Sequence, residues 1–244
     1  PFQSSCHCDG NRNAVREISA RASSRSWCAP YAAYMSFAGF PEAALDFYDD
    51  LEVDNTKAFW EQHKDVYQSA VATPMRLLTD ALADEFGEAK MFRPYRDVRF
   101  SKDKSPYKTH QGAYVPVARA TGYYVQIGAP GVMVGAGFYE ASADRLSALR
   151  TAIDDNRRGG ELERIVDDLT AAGWEVGGER LKTAPRGWDP APPRIELLRH
   201  KTFTMSRHYG FDEVIHSPEL VDRVRADWRA TTPLVEWITR HAAA

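Results

Sequence analysis

Apolar residues recur at helical spacing once the patterned part of the chain begins. Phe40, Ala44, Phe47 and Leu51 fall on one face, the i, i+4, i+7 rhythm of an amphipathic helix, with Pro41 where a first turn tolerates it. Asp54 or Asn55 is placed to cap a second helix, whose inward face reads Phe59 or Trp60, His63, Tyr67 and Ala70. Thr73-Pro74 predicts a restart or kink. Met75, Leu78, Leu82 and Phe86 then carry the pattern to Gly87, a natural helix stop. The outward positions of these helices are acidic: Glu42, Asp46, Asp49, Asp50, Glu52 and Asp54.

The rhythm then changes to short Tyr- and Val-rich runs. Gly112 to Arg119, Gly122 to Gly128 and Gly131 to Tyr139 are separated by turn signals at Ala120-Thr121-Gly122 and Ala129-Pro130-Gly131, which predicts an antiparallel meander. Helical spacing returns with Leu146, Leu149 and Ile153, and again with Leu162, Ile165, Val166 and Leu169. Gly159-Gly160 reads as the divider and Gly173 as the end. A short helix is expected around Ile195 to Arg199, a strand over Lys201 to Arg207, a helix from Ser217-Pro218, and a last one from Thr231-Thr232-Pro233. These elements predict a single α+β domain, an antiparallel sheet flanked by N-terminal and C-terminal helices.

Composition adds a boundary. The chain has 244 residues and a net charge of −3, and no run is long and apolar enough to span a bilayer, which takes ~20 residues. No membrane is expected, and the cytoplasm is the default location. All three cysteines, Cys6, Cys8 and Cys28, lie in a Ser- and Arg-rich leading segment without sustained periodicity. Residues 1–34 are therefore expected to be an appendage, with the domain running over 35–244. Cys6-His7-Cys8 falls short of the four ligands of a structural zinc site, so no metal is expected.

Charge singles out one stretch. From Arg93 to His110 the chain carries Arg93, Arg96, Arg99, Lys102, Lys104 and Lys108 against only Asp97 and Asp103, with Tyr95, Phe100 and Tyr107 interleaved. Arginine forks bind carboxylate or phosphate bidentately and lysine adds mobile charge, so the segment points to an anion site. As a strand it would place Arg96 among Phe92, Pro94, Val98 and Phe100, where an unpaired guanidinium is costly; a carboxylate or a ligand has to meet it. A second basic region, Arg180 to Lys201, carries Arg186 and Lys201, which complete the site if the two regions converge. The bland alternative is a salt-bridged surface in which the basic stretch pairs with the acidic helices, or a non-catalytic protein-interaction domain using charge complementarity. If chemistry occurs, Asp97, Asp103, Tyr107 and His110 are the proton-transfer candidates beside the cations. Whether the protein is an enzyme stays open.

Other motifs carry less. Ser101-x-x-Lys104 and Ser105-x-x-Lys108 match a nucleophile pattern whose companion elements are missing. Gly135-Ala136-Gly137 lies in a predicted strand, without the third glycine of a dinucleotide fingerprint, and no P-loop is present. His63 reads as a structural histidine. Net negative charge ranks nucleic acid below a small-molecule anion.

Arg93 to His110, R-P-Y-R-D-V-R-F-S-K-D-K-S-P-Y-K-T-H, resembles the signature of a bacterial and fungal family, domain of unknown function 2461. Further matches are the Asn55-to-Tyr67 helix with His63-Lys64, Tyr123-Tyr124, Gly135 and Gly137, Arg150, and Pro185-Arg186-Gly187-Trp188 before Leu198-Arg199-His200-Lys201. The chain departs from that pattern at Asp54, at the order of Phe59-Trp60 and at Ala191-Pro192. The resemblance spans Phe37 to His241 and implies no reaction, cofactor or catalytic residue.

Overall fold

Six strands form one antiparallel sheet, and the order in which they pair decides where the basic segments end up. The computed structural model describes residues 36–99, 102–188 and 193–242; the leading segment and its cysteines lie outside them. The strands are β1 (Lys90–Met91), β2 (His110–Ala118), β3 (Thr121–Gly128), β4 (Gly131–Phe138), β5 (Glu175–Gly177) and β6 (Phe203–Gly210), in the spatial order β1-β2-β3-β4-β6-β5. The expected meander is β2-β3-β4. Two short strands that periodicity could not show, β1 and β5, close its edges by pairing with β2 and β6.

Helices α1 (Ala43–Val53), α2 (Lys57–Val66), α3 (Thr73–Asp80) and α4 (Ala83–Phe86) precede the basic stretch. Thr56, not Asp54 or Asn55, caps α2, its hydroxyl accepting from the Phe59 amide at 3.2 Å. α3 starts at Thr73-Pro74 as expected, with Pro74 in its first turn, and a π-helical turn over Tyr67–Ala72 joins it to α2 without a break, a widening of the ladder ahead of a residue with no N–H to donate. Gly87, at φ 96°, stops α4 as expected.

After the meander come α5 (Ala143–Asp154), α6 (Asn156–Ala171), α7 (Ile195–Leu198) and α8 (Leu220–His241). Two boundaries differ from expectation. Gly159-Gly160 lies inside α6, and the break falls at Asp155, whose carboxylate accepts from the Arg157 and Arg158 amides. Gly159 is there for close approach, since a Cβ would sit 1.9 Å from the Ile153 carbonyl oxygen. Thr231-Thr232-Pro233 does not open a new helix either; Pro233 lies within the 22-residue α8. Burial of Trp228, Leu234, Trp237 and Ile238 holds that helix together, and tertiary packing outweighs local propensity.

Strand alternation sorts the sheet into two unlike faces. Ala113, Val115, Tyr123, Val125, Ile127, Val132, Val134, Phe138 and Met205 are buried against the helices, with α1 on β3 and α8 across β2 to β4. The Tyr123 ring stacks on Trp228 at 5.4 Å, and the Trp228 indole donates to the Tyr124 carbonyl at 3.2 Å. The opposite face carries Gly112, Tyr114, Gly122, Tyr124, Met133, Gly135, Gly137, Thr204 and Ser206. Among the described residues no helix packs on it. The result is a single α+β domain with an antiparallel sheet. No helix of the described residues is long and apolar enough to cross a membrane.

Candidate functional site

The basic stretch is the connection from β1 to β2, folded back on itself. Pairing continues past β1 in an irregular ladder: the Phe92 amide donates to Gly112 at 3.0 Å, Tyr95 bridges Tyr107, the Arg96 amide donates to Pro106 at 2.9 Å and the Lys108 amide to Pro94 at 2.7 Å. Its base is clamped from two sides. The Asn55 carboxamide donates to the Tyr107 carbonyl at 3.0 Å and accepts from the Tyr107 amide at 3.1 Å, standing in for a neighbouring strand. The Tyr107 ring lies flat on Trp60 at 4.3 Å. Gln111 completes the clamp, accepting from the Tyr67 hydroxyl at 2.6 Å and donating to the Phe92 and Gly112 carbonyls.

This anchoring sets which side chains face where. With Tyr107 turned into the helix layer, Lys108 points the other way, and alternation puts His110 on the open sheet face with Gly112 and Tyr114. Lys108 Nζ lies 5.3 Å from the Phe92 ring centroid. Partial burial, with Arg93 and Arg96 close by, lowers the Lys108 pKa. Burial also lowers the His110 pKa, with Lys108 and Arg96 adding to it, so its imidazole is neutral at pH 7. The structure thus gathers Arg93, Arg96, Lys108 and His110 into one cationic cluster. Among the described residues Arg93 and Lys108 have no carboxylate partner, and Arg96 pairs with Asp103.

The rest of the predicted site lies elsewhere. Arg99 bonds Asp97 at 2.6 Å, and Lys104 Nζ donates to the Val98 carbonyl at 2.9 Å. Lys102 is exposed beyond them. The carboxylate that Arg96 requires is Asp103 of the same loop, and among the described residues no other element supplies one. Asp103 also accepts from the Ser105 amide at 2.9 Å and from the Ser105 hydroxyl. The loop's described ion pairs are therefore internal, not made to the acidic faces of α1 and α2. Bonds from Arg99 hold the Asp97 carboxyl below its ordinary range, and bonds from Ser105, with Arg96 adding, do the same for Asp103. A carboxylate already bonded and shifted down is a weak proton acceptor at neutral pH. Tyr107 is 4 % exposed and its pKa is raised by burial; its work is packing.

Convergence of the two basic regions does not occur. Strand register places His110 beside Gly128, Gly131 and the Gly210 end of β6. Lys201 precedes Phe203, at the other end of β6, ~25 Å away along an eight-residue strand. It pairs there with Glu179 at 3.4 Å. Arg186 is exposed in the loop that follows the Arg180–His200 bridge at that same far end.

What sequence reasoning missed is the open face beside the cluster. It holds a cavity of about 350 Å³ walled by Phe92, Tyr114, Tyr124, Met133 and Tyr139 and floored by glycines. Listing strand positions by alternation would have shown it, because Met133, Gly135 and Gly137 share one side of β4 while Val132, Val134, Ala136 and Phe138 share the other. Among the described residues no group of three or more His, Cys, Asp or Glu is arranged to hold a metal ion.

The profile of a family described as "Conserved hypothetical protein (DUF2461)" matches residues 43–237. The chain belongs to that family. The matched span includes α1, the clamp residue Asn55, the whole basic loop, the sheet and most of α8, so clamp and cluster lie within the DUF2461 domain itself. No curated protein and no solved structure matches the chain.

Proposed function

We propose that the domain binds a small anion, phosphorylated or carboxylated, at the cluster of Arg93, Arg96, Lys108 and His110. The observation that carries this reading is that Arg93 and Arg96 lie close to a partly buried Lys108, whose Nζ rests 5.3 Å from the Phe92 ring centroid, while among the described residues no carboxylate is set against Arg93 or Lys108. Like charges gathered at a half-buried position destabilise the folded state, and a bound anion removes that cost. Binding is favoured over turnover: Asp97 and Asp103 are occupied in ion pairs and Tyr107 is packed away, which leaves His110, of the four proton-transfer candidates, to exchange a proton with a ligand.

A charge-complementary protein contact is the alternative, and it draws on the loop tip, where Lys102, Asp97 and Arg99 are exposed. The test is thermal unfolding of the full chain with inorganic phosphate, pyrophosphate and citrate. An anion at ~100 times its dissociation constant stabilises by ~2.7 kcal/mol. Lys108→Met is expected to abolish the response with the fold intact. A flat response to all three anions, with a folded protein, refutes the reading in favour of the protein contact.

A further inference from the structure

The cavity on the open sheet face lies directly behind the cationic cluster, and one residue belongs to both. Phe92 carries Lys108 Nζ against its ring at 5.3 Å, and the same ring forms a wall of the cavity, 6.1 Å from the Tyr124 ring. The floor is backbone. Gly122, Gly135 and Gly137 present no side chains to it, and beside them the Tyr124 ring leans over the bare peptide of Gly112, where a Cβ would sit 2.2 Å from the Tyr124 hydroxyl. Flat peptide planes below and aromatic rings at the sides make a slot that fits a flat apolar group better than a branched one.

A second observation points to an occupant. Tyr114 lines this cavity and is 7 % exposed, yet its hydroxyl has no hydrogen-bond partner among the described residues. The neighbouring Tyr139 ring meets it edge-on at 5.3 Å, and the Tyr139 hydroxyl comes close enough to help raise the Tyr114 pKa without reaching hydrogen-bond geometry. Buried polar groups are normally paired, and a ligand polar atom would supply the missing partner.

Charge around the hollow has one prevailing sign. Lys90 and Arg119 border a shallower extension of about 500 Å³ that shares Phe92, Tyr114 and Tyr139 with the cavity, while Lys108 and Arg93 stand at the Phe92 side. By register, Glu175 at the β5 edge is the one carboxylate that the described strands place on this face, opposite Ser206.

We infer that the ligand is an aryl anion, a flat aromatic body carrying a phosphate or carboxylate, with its ring in the cavity, its charge at Lys108 and Arg93, and a polar atom on the Tyr114 hydroxyl. This rests on the anion-site reading above and extends it.

The test measures binding of three probes to the full chain by calorimetry: 1-naphthyl phosphate, inorganic phosphate and 1-naphthol. Naphthyl phosphate is expected to bind about 10- to 100-fold tighter than phosphate, the gain that burying a ring brings, and tighter than naphthol. Ser206→Phe fills the slot from a strand position that accepts an aromatic residue; it is expected to abolish the naphthyl gain and leave phosphate binding unchanged. Tyr114→Phe, which removes an unsatisfied hydroxyl and so leaves the fold as stable or more so, is expected to weaken naphthyl phosphate several-fold. Equal affinity for naphthyl phosphate and phosphate, or a gain that survives Ser206→Phe, overturns the aryl inference and leaves the anion site standing. Binding of neither anion overturns both, and naphthol binding as tightly as naphthyl phosphate overturns the charged head.

Discussion

The β1–β2 loop and the segment from Arg180 to Lys201 are equally basic by composition, and the structure uses their cations in opposite ways. In the second segment four of the six cations, Arg180, Arg194, Arg199 and Lys201, are tied into the fold. Arg194, 9 % exposed, donates to the Ile153 carbonyl at 2.7 Å and the Asp154 carbonyl at 3.3 Å, satisfying the end of α5. Arg199 donates to the Leu181 and Lys182 carbonyls and to Glu196, while Arg180 and Lys201 have carboxylate partners. In the loop, by contrast, Arg93 and Lys108 face other cations. A count of charges cannot separate these situations; a count of acceptors does.

The sharpest way to test this contrast is Arg194→Ala. It strands buried carbonyls at a helix end and is expected to cost about 3 kcal/mol, a fall of roughly 6–12 °C in melting temperature for a domain of this size, with the phosphate response retained. Asn55→Ala comes next. Loss of both bonds to the Tyr107 backbone is expected to cost about 2 kcal/mol in urea unfolding, and to weaken phosphate binding because the loop no longer holds Lys108 in place.

Lys108→Met is expected to act with the opposite sign. Its folded pKa lies below the ordinary 10.5, so between the two values the unfolded chain binds more protons and stability rises with pH; below that window the cost of the charge is present in full. At pH 7 the substitution is therefore neutral or stabilising, by up to about 1 kcal/mol, while anion binding is lost. Destabilisation by more than that would place Lys108 among the structural cations.

His110 gives a smaller effect of the same kind. Its folded pKa is below the ordinary 6.5, so stability falls as pH drops through 6.5 toward the folded value. His200 and His241 are shifted in the same direction, chiefly by burial, and the isolating measurement is the difference from His110→Gln. Wild type is expected to lose more melting temperature than the variant from about pH 7.5 to about pH 5, and phosphate is expected to narrow that difference by favouring the imidazolium. Smallest of all, Lys201→Ala should change stability by less than about 0.5 kcal/mol, as exposed pairs do, and leave anion binding untouched.

Much of the fold was legible before any coordinates. Phe40, Ala44, Phe47 and Leu51 announced α1, and β2, β3 and β4 lie within two residues of the runs that predicted them. The errors are instructive. Pro233 and Gly159 looked like breaks because proline and glycine disfavour helix interiors, yet buried partners on α8 and the close approach of Ile153 outweigh those local costs. β1 and β5 were invisible because two or three residues carry no periodicity. For the site, the location was legible and the membership was not. Arg96 was seen to need an acceptor, but the acceptor, Asp103, came from its own loop and removed one of the proton-transfer candidates.

Sequence alone determined the helices, the meander and the place of the basic loop, because hydrophobic periodicity and glycine stops act over a few neighbouring residues. Only the tertiary structure decided that one sheet face is left open, that Lys201 lies a strand's length from His110, and that Lys108 rests on Phe92 beside an apolar cavity. Those outcomes depend on strand order and register, which are set by contacts between residues far apart in the chain, and a charge acquires its role only when those contacts bring it an acceptor or withhold one.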